Sequence, residues 1–223
     1  MIGLGKSGMF DNLNLHERVY LYLRDKIVHN NLKPGSRIDY DELMAELGVS
    51  RTPVRDALNR LQIDNLIEVR PRSGTFVSTP NKKAIEDLYN VRKPLESTAV
   101  ELAAPHLSEE SYLALLKETE QAEAELGKGN PDLFFAHDRN FHRTLISHSD
   151  NSRLIAIMDS LEVQVKWFGI IMTKNLDRPH RAIEMHRNIV TAMQAKKIQE
   201  AKRLMEMHIE EVKLDIMSDY PTE

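Results

Sequence analysis

Cysteine is absent from the 223 residues. Its absence removes disulfides, thiolate zinc sites, iron–sulfur ligation and cysteine nucleophiles together. Long apolar runs are missing too. The longest uninterrupted one, Trp167–Met172 with a single glycine inside it, is far short of the roughly 18 residues a membrane-spanning helix needs. Residues 1–12 show no charged segment followed by an apolar core, so no secretory signal is expected. The reading at this point is a soluble, cytoplasmic protein with no membrane partner. A large charge of one sign is also lacking. The net charge of −4 argues against wholesale coating of nucleic acid but leaves room for a local basic patch. What is present is ordinary for a globular chain: 41% apolar and 29% charged residues, in a length that suits one or two domains of roughly 100–200 residues.

The charge divides unevenly. Residues 1–80 carry 11 Lys and Arg against 10 Asp and Glu, whereas the remainder carries 19 against 24. All five basic residues between 51 and 72 are arginines: Arg51, Arg55, Arg60, Arg70 and Arg72. Arginine makes bidentate contacts to phosphate and guanine, where lysine is a flexible point charge.

The first 80 residues read as three helices and a hairpin. Leu15, Val19, Leu23 and Ile27 recur every four positions and predict a helix over 14–30, with Asn14 and Glu17 as a capping box. Lys33-Pro34-Gly35 supplies turn chemistry after it. Asp39 with Glu42 predicts a second capped start, Leu43 and Leu47 its inner face, and Gly48 its left-handed end. Ser50 or Thr52 then caps a third helix, with Pro53 in its first turn. Val54, Leu58 and Leu61 form its buried stripe, and Arg51, Thr52, Arg55 and Asn59 fall away from that stripe. Leu66–Arg70 and Thr75–Ser78 are short β-like runs around Pro71-Arg72-Ser73-Gly74. This is the layout of a helix-turn-helix followed by a wing. Arg51 and Arg55, four apart, can reach base edges in a major groove, and Arg72 can enter the minor groove or clamp the backbone. The plainer alternative is a protein-interaction module with solvated arginines.

The run Leu47-Gly48-Val49-Ser50-Arg51-Thr52-Pro53-Val54-Arg55-Asp56-Ala57-Leu58, with Pro34-Gly35, Leu43, Leu61 and Gly74, resembles the DNA-binding domain of the GntR family of bacterial transcription regulators. The resemblance spans about residues 12–78. It implies operator DNA as partner and Ser50, Arg51, Thr52, Pro53, Arg55, Arg72, Ser73 and Gly74 as the residues that meet it. Some members carry a DNA-contacting Arg in the second helix. Asp41-Glu42 stands there in this chain, so that contact is not expected.

After a linker at 79–82, everything reads helical: about 83–105, 108–127, 131–148, 152–173, 179–195 and 198–217. Pro94 lies inside the first span as a possible kink. Short connections between amphipathic helices imply an antiparallel bundle. The expected organisation is a tail at 1–11, a winged helix-turn-helix domain at 12–78, an all-α effector and dimerisation domain at 83–217, and a tail at 218–223. The fold class is mainly α.

Seven of the nine histidines lie in this second half. Asp138 and His142 stand four apart on one helix, among Phe134, Phe135, Phe141 and Leu145. His186 and His208 lie on apolar faces of two later helices. They meet only if the chain turns back between them, near Ala195–Ile198. One carboxylate and three imidazoles at one point would suit zinc, nickel, manganese or iron. Plain helix salt bridges and core histidines are the alternative. His106, His137, His148 and His180 have no comparable partners and read as surface or structural.

Residues 82–217 resemble the FCD-type ligand-binding domain of the FadR subfamily of GntR regulators. The match lies in Arg92-Lys93-Pro94-Leu95-Glu96, Asp138-Arg139-Asn140-Phe141-His142, Asn151, His186 and Met205-Glu206-Met207-His208-Ile209. The resemblance implies a divalent metal, zinc first, on Asp138, His142, His186 and His208. It also implies a small carboxylate effector docked on that metal, with Arg92 as its clamp; the alternative for Arg92 is a surface ion pair with Glu96. Lys196-Lys197 replaces the family's Gly-Asp, which weakens the helix cap there. The expected protein is a homodimeric, metabolite-responsive transcription regulator and no enzyme. A metal-dependent enzyme acting on small carboxylates and a metal-sensing regulator are the other readings.

Overall fold

The computed structural model describes residues 13–172 and 177–219. The expected tail at 1–11 and residues 220–223 lie outside the described residues. The chain separates into two compact units, one ending at Asn81 and the other beginning at Lys82. The segment Glu162–Ile171 groups with the first unit, although it belongs to a helix that starts in the second.

The first unit holds α1 (Leu15–Val28), β1 (Arg37–Ile38), α2 (Tyr40–Leu47), α3 (Arg51–Ile63), β2 (Ile67–Arg70) and β3 (Gly74–Val77). The predicted stripes face its core. Val19, Leu23, Ile27, Val54 and Leu61 are fully buried, and each such side chain contributes about 1.5–3 kcal/mol. Leu15 is exposed, so the α1 stripe begins at Val19. Asn14 occupies the N-cap of α1 without a side-chain bond to it, so the expected capping box does not form. The helix also ends at Val28, two residues short of the expected end. Asn30, in the left-handed region (φ 59°), lets Asn31 N–H reach back to the Lys26 carbonyl and close the end before Pro34 can act. Asp39 does cap α2, accepting from the amides of Asp41 and Glu42. Gly48 ends α2 with φ 66°, a conformation that glycine adopts without steric cost.

β1, which is not among the predicted elements, joins the wing strands in a three-stranded antiparallel sheet of order β1-β3-β2. Ile67 faces Val77 and Arg70 faces Gly74 across the wing, with Pro71-Arg72-Ser73 at its tip. Gly74 is required there. Its φ is 120°, and a Cβ would stand 3.2 Å from the Arg37 guanidinium.

The second unit is helical among its described residues: α4 (Lys82–Ala103), α5 (Glu109–Leu126), α6 (Asp132–Ser147), the first half of α7 (Ser152–Met172), α8 (Arg178–Gln194) and α9 (Ile198–Asp219). The predicted spans are found within two residues at each described end; the expected end of the 152–173 span, residue 173, lies outside the described residues. Ser218 and Asp219 are still helical, so α9 runs into the expected tail. α4 continues through Pro94 as one element. α9 packs on α4 and α8, and α6 packs on α4 and α5. Ala195–Lys197 turns α8 back into α9. Lys196 N–H bonds the Met193 carbonyl and Lys197 N–H that of Ala192, with Lys196 left-handed at φ 60°. This is a Schellman end, with lysine at the position glycine prefers.

The core of this unit is largely apolar (Ile85, Val100, Phe141, Leu145, Ile189 and Ile209 are all fully buried), with one large polar cluster inside it. There, Arg92, Glu96, Thr119, His137, His142, His186 and His208 are buried together with almost no exposure. Buried polar groups are tolerated only when they are paired.

Candidate functional site

Two sets of residues stand out, one in each unit. In the first unit, Ser50 is the N-cap of α3, exposed, with its hydroxyl not bonded to the helix. The first amides of α3 point outward from the same end, where the helix favours an anion. Arg51, Thr52 and Arg55 are exposed, Pro53 is half-buried, and Val54, Ala57 and Leu58 behind them anchor the helix. The Arg51 guanidinium lies 5.7 Å from the Tyr40 ring centre, and Arg55 Nε is 3.6 Å from Asp56 Oδ1. Neither contact buries the arginine. At the wing, Arg72 and Ser73 are exposed and Arg72 is left-handed at φ 63°. The Arg37 guanidinium beside Gly74 adds a cation at the wing that the sequence reading missed, because the β1–β3 pairing that brings it there is non-local.

In the second unit, Asp138 and His142 from α6, His186 from α8 and His208 from α9 each offer one ligand atom, all within 4.8 Å of one another. His186 Nε2 lies 3.1 Å from His208 Nε2, which lies 3.3 Å from His142 Nε2. Asp138 Oδ1 is 3.7 Å from His186 Nε2. Four atoms bound tetrahedrally at about 2.0–2.1 Å stand roughly 3.3 Å apart, so these spacings fit one ion. Asp138 is half-buried and the three histidines are buried. Burial first, then the neighbouring imidazoles, push the pKa values of His186 and His208 well below 6.5. Both rings are therefore neutral at pH 7, the form that binds a metal. The donor set, three imidazole nitrogens and one carboxylate oxygen brought to one place, fits a divalent ion.

The shell behind these atoms is built as well. His142 Nδ1 donates to Glu96 Oε2 at 2.8 Å, and Arg92 Nε donates to Glu96 Oε1 at 2.9 Å. Burial alone would raise the Glu96 pKa, but His142 and Arg92 outweigh it and hold it at about 2. The alternative read for Arg92 from the sequence is a surface ion pair with Glu96. The pair exists but is buried, with side chains 7% and 1% exposed. Glu96 was thus passed over as the partner of a ligand histidine. Of the two readings for His137, surface or structural, burial removes the first: it is 4% exposed, and it does have a partner, its Nε2 lying 3.3 Å from His186 Nδ1. Burial lowers its pKa too. Phe141 stacks on His186 at 3.9 Å and 17°. Arg178, at the start of α8, places its charge near His208 and Tyr89 and was not singled out in the sequence.

A winged helix-turn-helix with exposed arginines, joined to a helical domain with a polar centre, defines the class: a DNA-binding transcription regulator. The comparisons agree. Residues 15–77 match the gntR family of bacterial regulatory proteins, and residues 87–211 match the FCD domain. The chain belongs to the GntR family, in its FCD-containing branch. It is 32% identical to the Uxu operon regulator of Haemophilus influenzae, over 90% of this chain and 81% of that one. It is 25% identical to the HTH-type transcriptional repressor RspR of Escherichia coli, over 89% and 87%. Among solved structures it is similar to a GntR transcriptional regulator from Rhodococcus, with a TM-score of 0.75, 25% identity, and coverage of 92% and 99%. The protein is a DNA-binding transcriptional regulator rather than an enzyme. No described helix is long and apolar enough to cross a membrane.

Proposed function

We propose that this regulator is a cytoplasmic homodimer of the FadR subfamily whose operator binding is set by a small organic acid held on a divalent metal. Residues 12–78 read DNA. Arg51 and Arg55 reach base edges, Ser50, Thr52 and Pro53 place the start of α3 on a phosphate, and Arg72, Ser73 and Gly74 form the wing contact. Two half-sites about one helical turn apart supply the specificity that a single winged helix lacks.

Residues 83–217 hold the effector. The observation that carries this reading is the convergence of three imidazole nitrogens and one carboxylate oxygen within 4.8 Å, the three histidines being buried. Asp138, His142, His186 and His208 are the ligands, and zinc is the first candidate, ahead of nickel, manganese or iron. When bound, the ion supplies a Lewis-acid charge that attracts a carboxylate oxygen. Asp138 offsets only part of that charge, because the Glu96 carboxylate is already matched by Arg92. The remaining positive charge, with Arg178 nearby, favours an anionic guest. Arg92 spends its Nε on Glu96, so as an effector clamp it offers its Nη groups. An effector that binds one dimer pose more tightly than the other shifts the population between them.

The test is operator binding by fluorescence anisotropy after chelation, after zinc addition, and with zinc plus a panel of small carboxylates. A response to one acid that needs zinc is expected. A response to zinc alone would make the ion the signal, and a response to acid after full chelation would remove the metal from the pathway. Light scattering at micromolar concentration should give twice the 25.7 kDa of one chain.

A further inference from the structure

We propose that His137 is a positioning residue for the metal: it fixes His186 in the tautomer that presents Nε2. The inference rests on the metal reading above. His186 Nε2 is the atom that faces His208 Nε2 at 3.1 Å and Asp138 Oδ1 at 3.7 Å, so it is the ligand atom. A neutral imidazole carries one proton, and a lone pair directed at an ion from Nε2 places that proton on Nδ1. The atom opposite Nδ1 is His137 Nε2, at 3.3 Å. His137 Nε2 therefore has to be the bare nitrogen, and the proton of His137 sits on its own Nδ1. That Nδ1 is buried with no hydrogen-bond partner, and Glu118 Oε2 lies 3.9 Å from it. Phe141, stacked on His186, already fixes the plane of the ring. What His137 adds is the choice of which nitrogen carries hydrogen.

His142 and His186 are thus backed differently. His142 leans on a carboxylate, Glu96, which brings a negative charge; His186 leans on a neutral acceptor, which brings none. The positive charge left for an anionic guest depends on that difference. Thr119 tunes the acceptor. Its Oγ1 lies 3.2 Å from the same His137 Nε2 and 2.7 Å from the Leu115 carbonyl, and it has one proton to give. With that proton directed to Leu115, Thr119 can only accept from His137 Nε2, so presenting the His137 lone pair to His186 requires His137 to give up this bond and carry its proton on Nδ1; with the proton turned to His137, Thr119 competes with His186 for the lone pair.

The experiment compares the full-length wild type with His137→Leu, His137→Gln and Thr119→Val. Zinc affinity is measured against a chromophoric chelator, and the imidazole protons are assigned by long-range ¹H–¹⁵N correlation on the zinc-loaded protein. In wild type, His186 should carry its proton on Nδ1. His137→Leu should weaken zinc binding about 10–100-fold, the range for loss of an outer partner of a metal ligand. His137→Gln, whose amide oxygen can accept from His186, should recover most of it, and Thr119→Val should lose none. A His186 proton on Nε2 in the zinc-loaded wild type overturns the inference even if the leucine variant fails to fold. Unchanged zinc affinity in a folded His137→Leu protein overturns it as well. A wild type that binds no zinc removes the metal reading itself, a result distinct from either.

Discussion

In the winged helix, the arginines assigned to DNA stand in solvent, whereas in the helical bundle the histidines assigned to metal are sealed among apolar side chains. An exposed contact residue costs the fold little, and its replacement changes binding with little effect on stability. A buried polar centre is part of the core, so anything that alters it alters function and stability together. The first site can drift in specificity while the domain stays folded. The second is constrained by packing from three helices at once.

Four experiments sharpen or break this contrast. The largest effect is expected from His186→Ala, which removes a central ligand. Divalent metal content by elemental analysis should fall from stoichiometric to near zero, an affinity loss beyond the roughly 100-fold typical of an outer partner. The response to the acid should disappear with it, while operator binding without effector stays close to wild type. A variant that keeps its metal would show the site to be misassigned.

Acid should separate the halves next. His137, His186 and His208 have pKa values lowered from 6.5 by burial, so below pH 6.5 the unfolded chain takes up protons that the folded metal-free protein refuses. The unfolded state then binds more protons, and stability falls as pH falls. The loss begins below pH 6.5, with a slope of up to about 1.4 kcal/mol per pH unit for each histidine. Glu96, held at about 2 against 4.5, adds a second loss between those values as its pairing is titrated away. His16 and His29, the histidines of the winged helix, are exposed. Urea unfolding of the metal-free chain between pH 7.5 and 5 should show the decline, and a flat profile would contradict the buried neutral cluster.

On the DNA side, Arg51→Ala should cost about 1–3 kcal/mol of operator affinity and relax specificity at one base pair. Arg72→Ala should weaken all sequences alike and lower the salt slope by about 1. Thermal melting of both variants should match wild type; a lowered melting point would mean these arginines also serve the fold. The smallest change is expected at the α8–α9 turn. Lys196→Gly places glycine at φ 60° and should stabilise the bundle by about 0.5–1 kcal/mol in denaturant titration, with metal content unchanged.

The same contrast explains what was legible in the sequence. The recognition helix is local: Ser50, Pro53 and the Val54–Leu58–Leu61 stripe lie within a dozen positions, so the motif can be read directly. The four candidate ligands were readable because two share a helix face and the others lie on marked apolar stripes. The supporting shell was not. Glu96 meets His142 across 46 residues and His137 meets His186 across 49, and no periodicity within one helix encodes such a meeting. β1 escaped for the same reason, since a two-residue strand exists only through its partner β3. Asn14 failed as a capping box because position at an N-cap does not oblige the side chain to turn inward. Lys196 shows the reverse case: the departure from Gly-Asp was visible, yet the turn keeps its geometry and lysine bears the strain.

The bundle histidines also bear on how a chain without cysteine can be fastened. His186 and His208 are 22 residues apart, and His142 and His208 are 66 apart. An ion shared among them would act as a reversible cross-link that closes both loops. For a covalent bridge, loops of such lengths correspond to about 3–4.7 kcal/mol of lost freedom in the unfolded chain. A dedicated staple of that kind would vanish under a chelator rather than a reductant. The helical half would then owe part of its resistance to unfolding, and to proteases that cut opened chains, to the supply of metal in its surroundings.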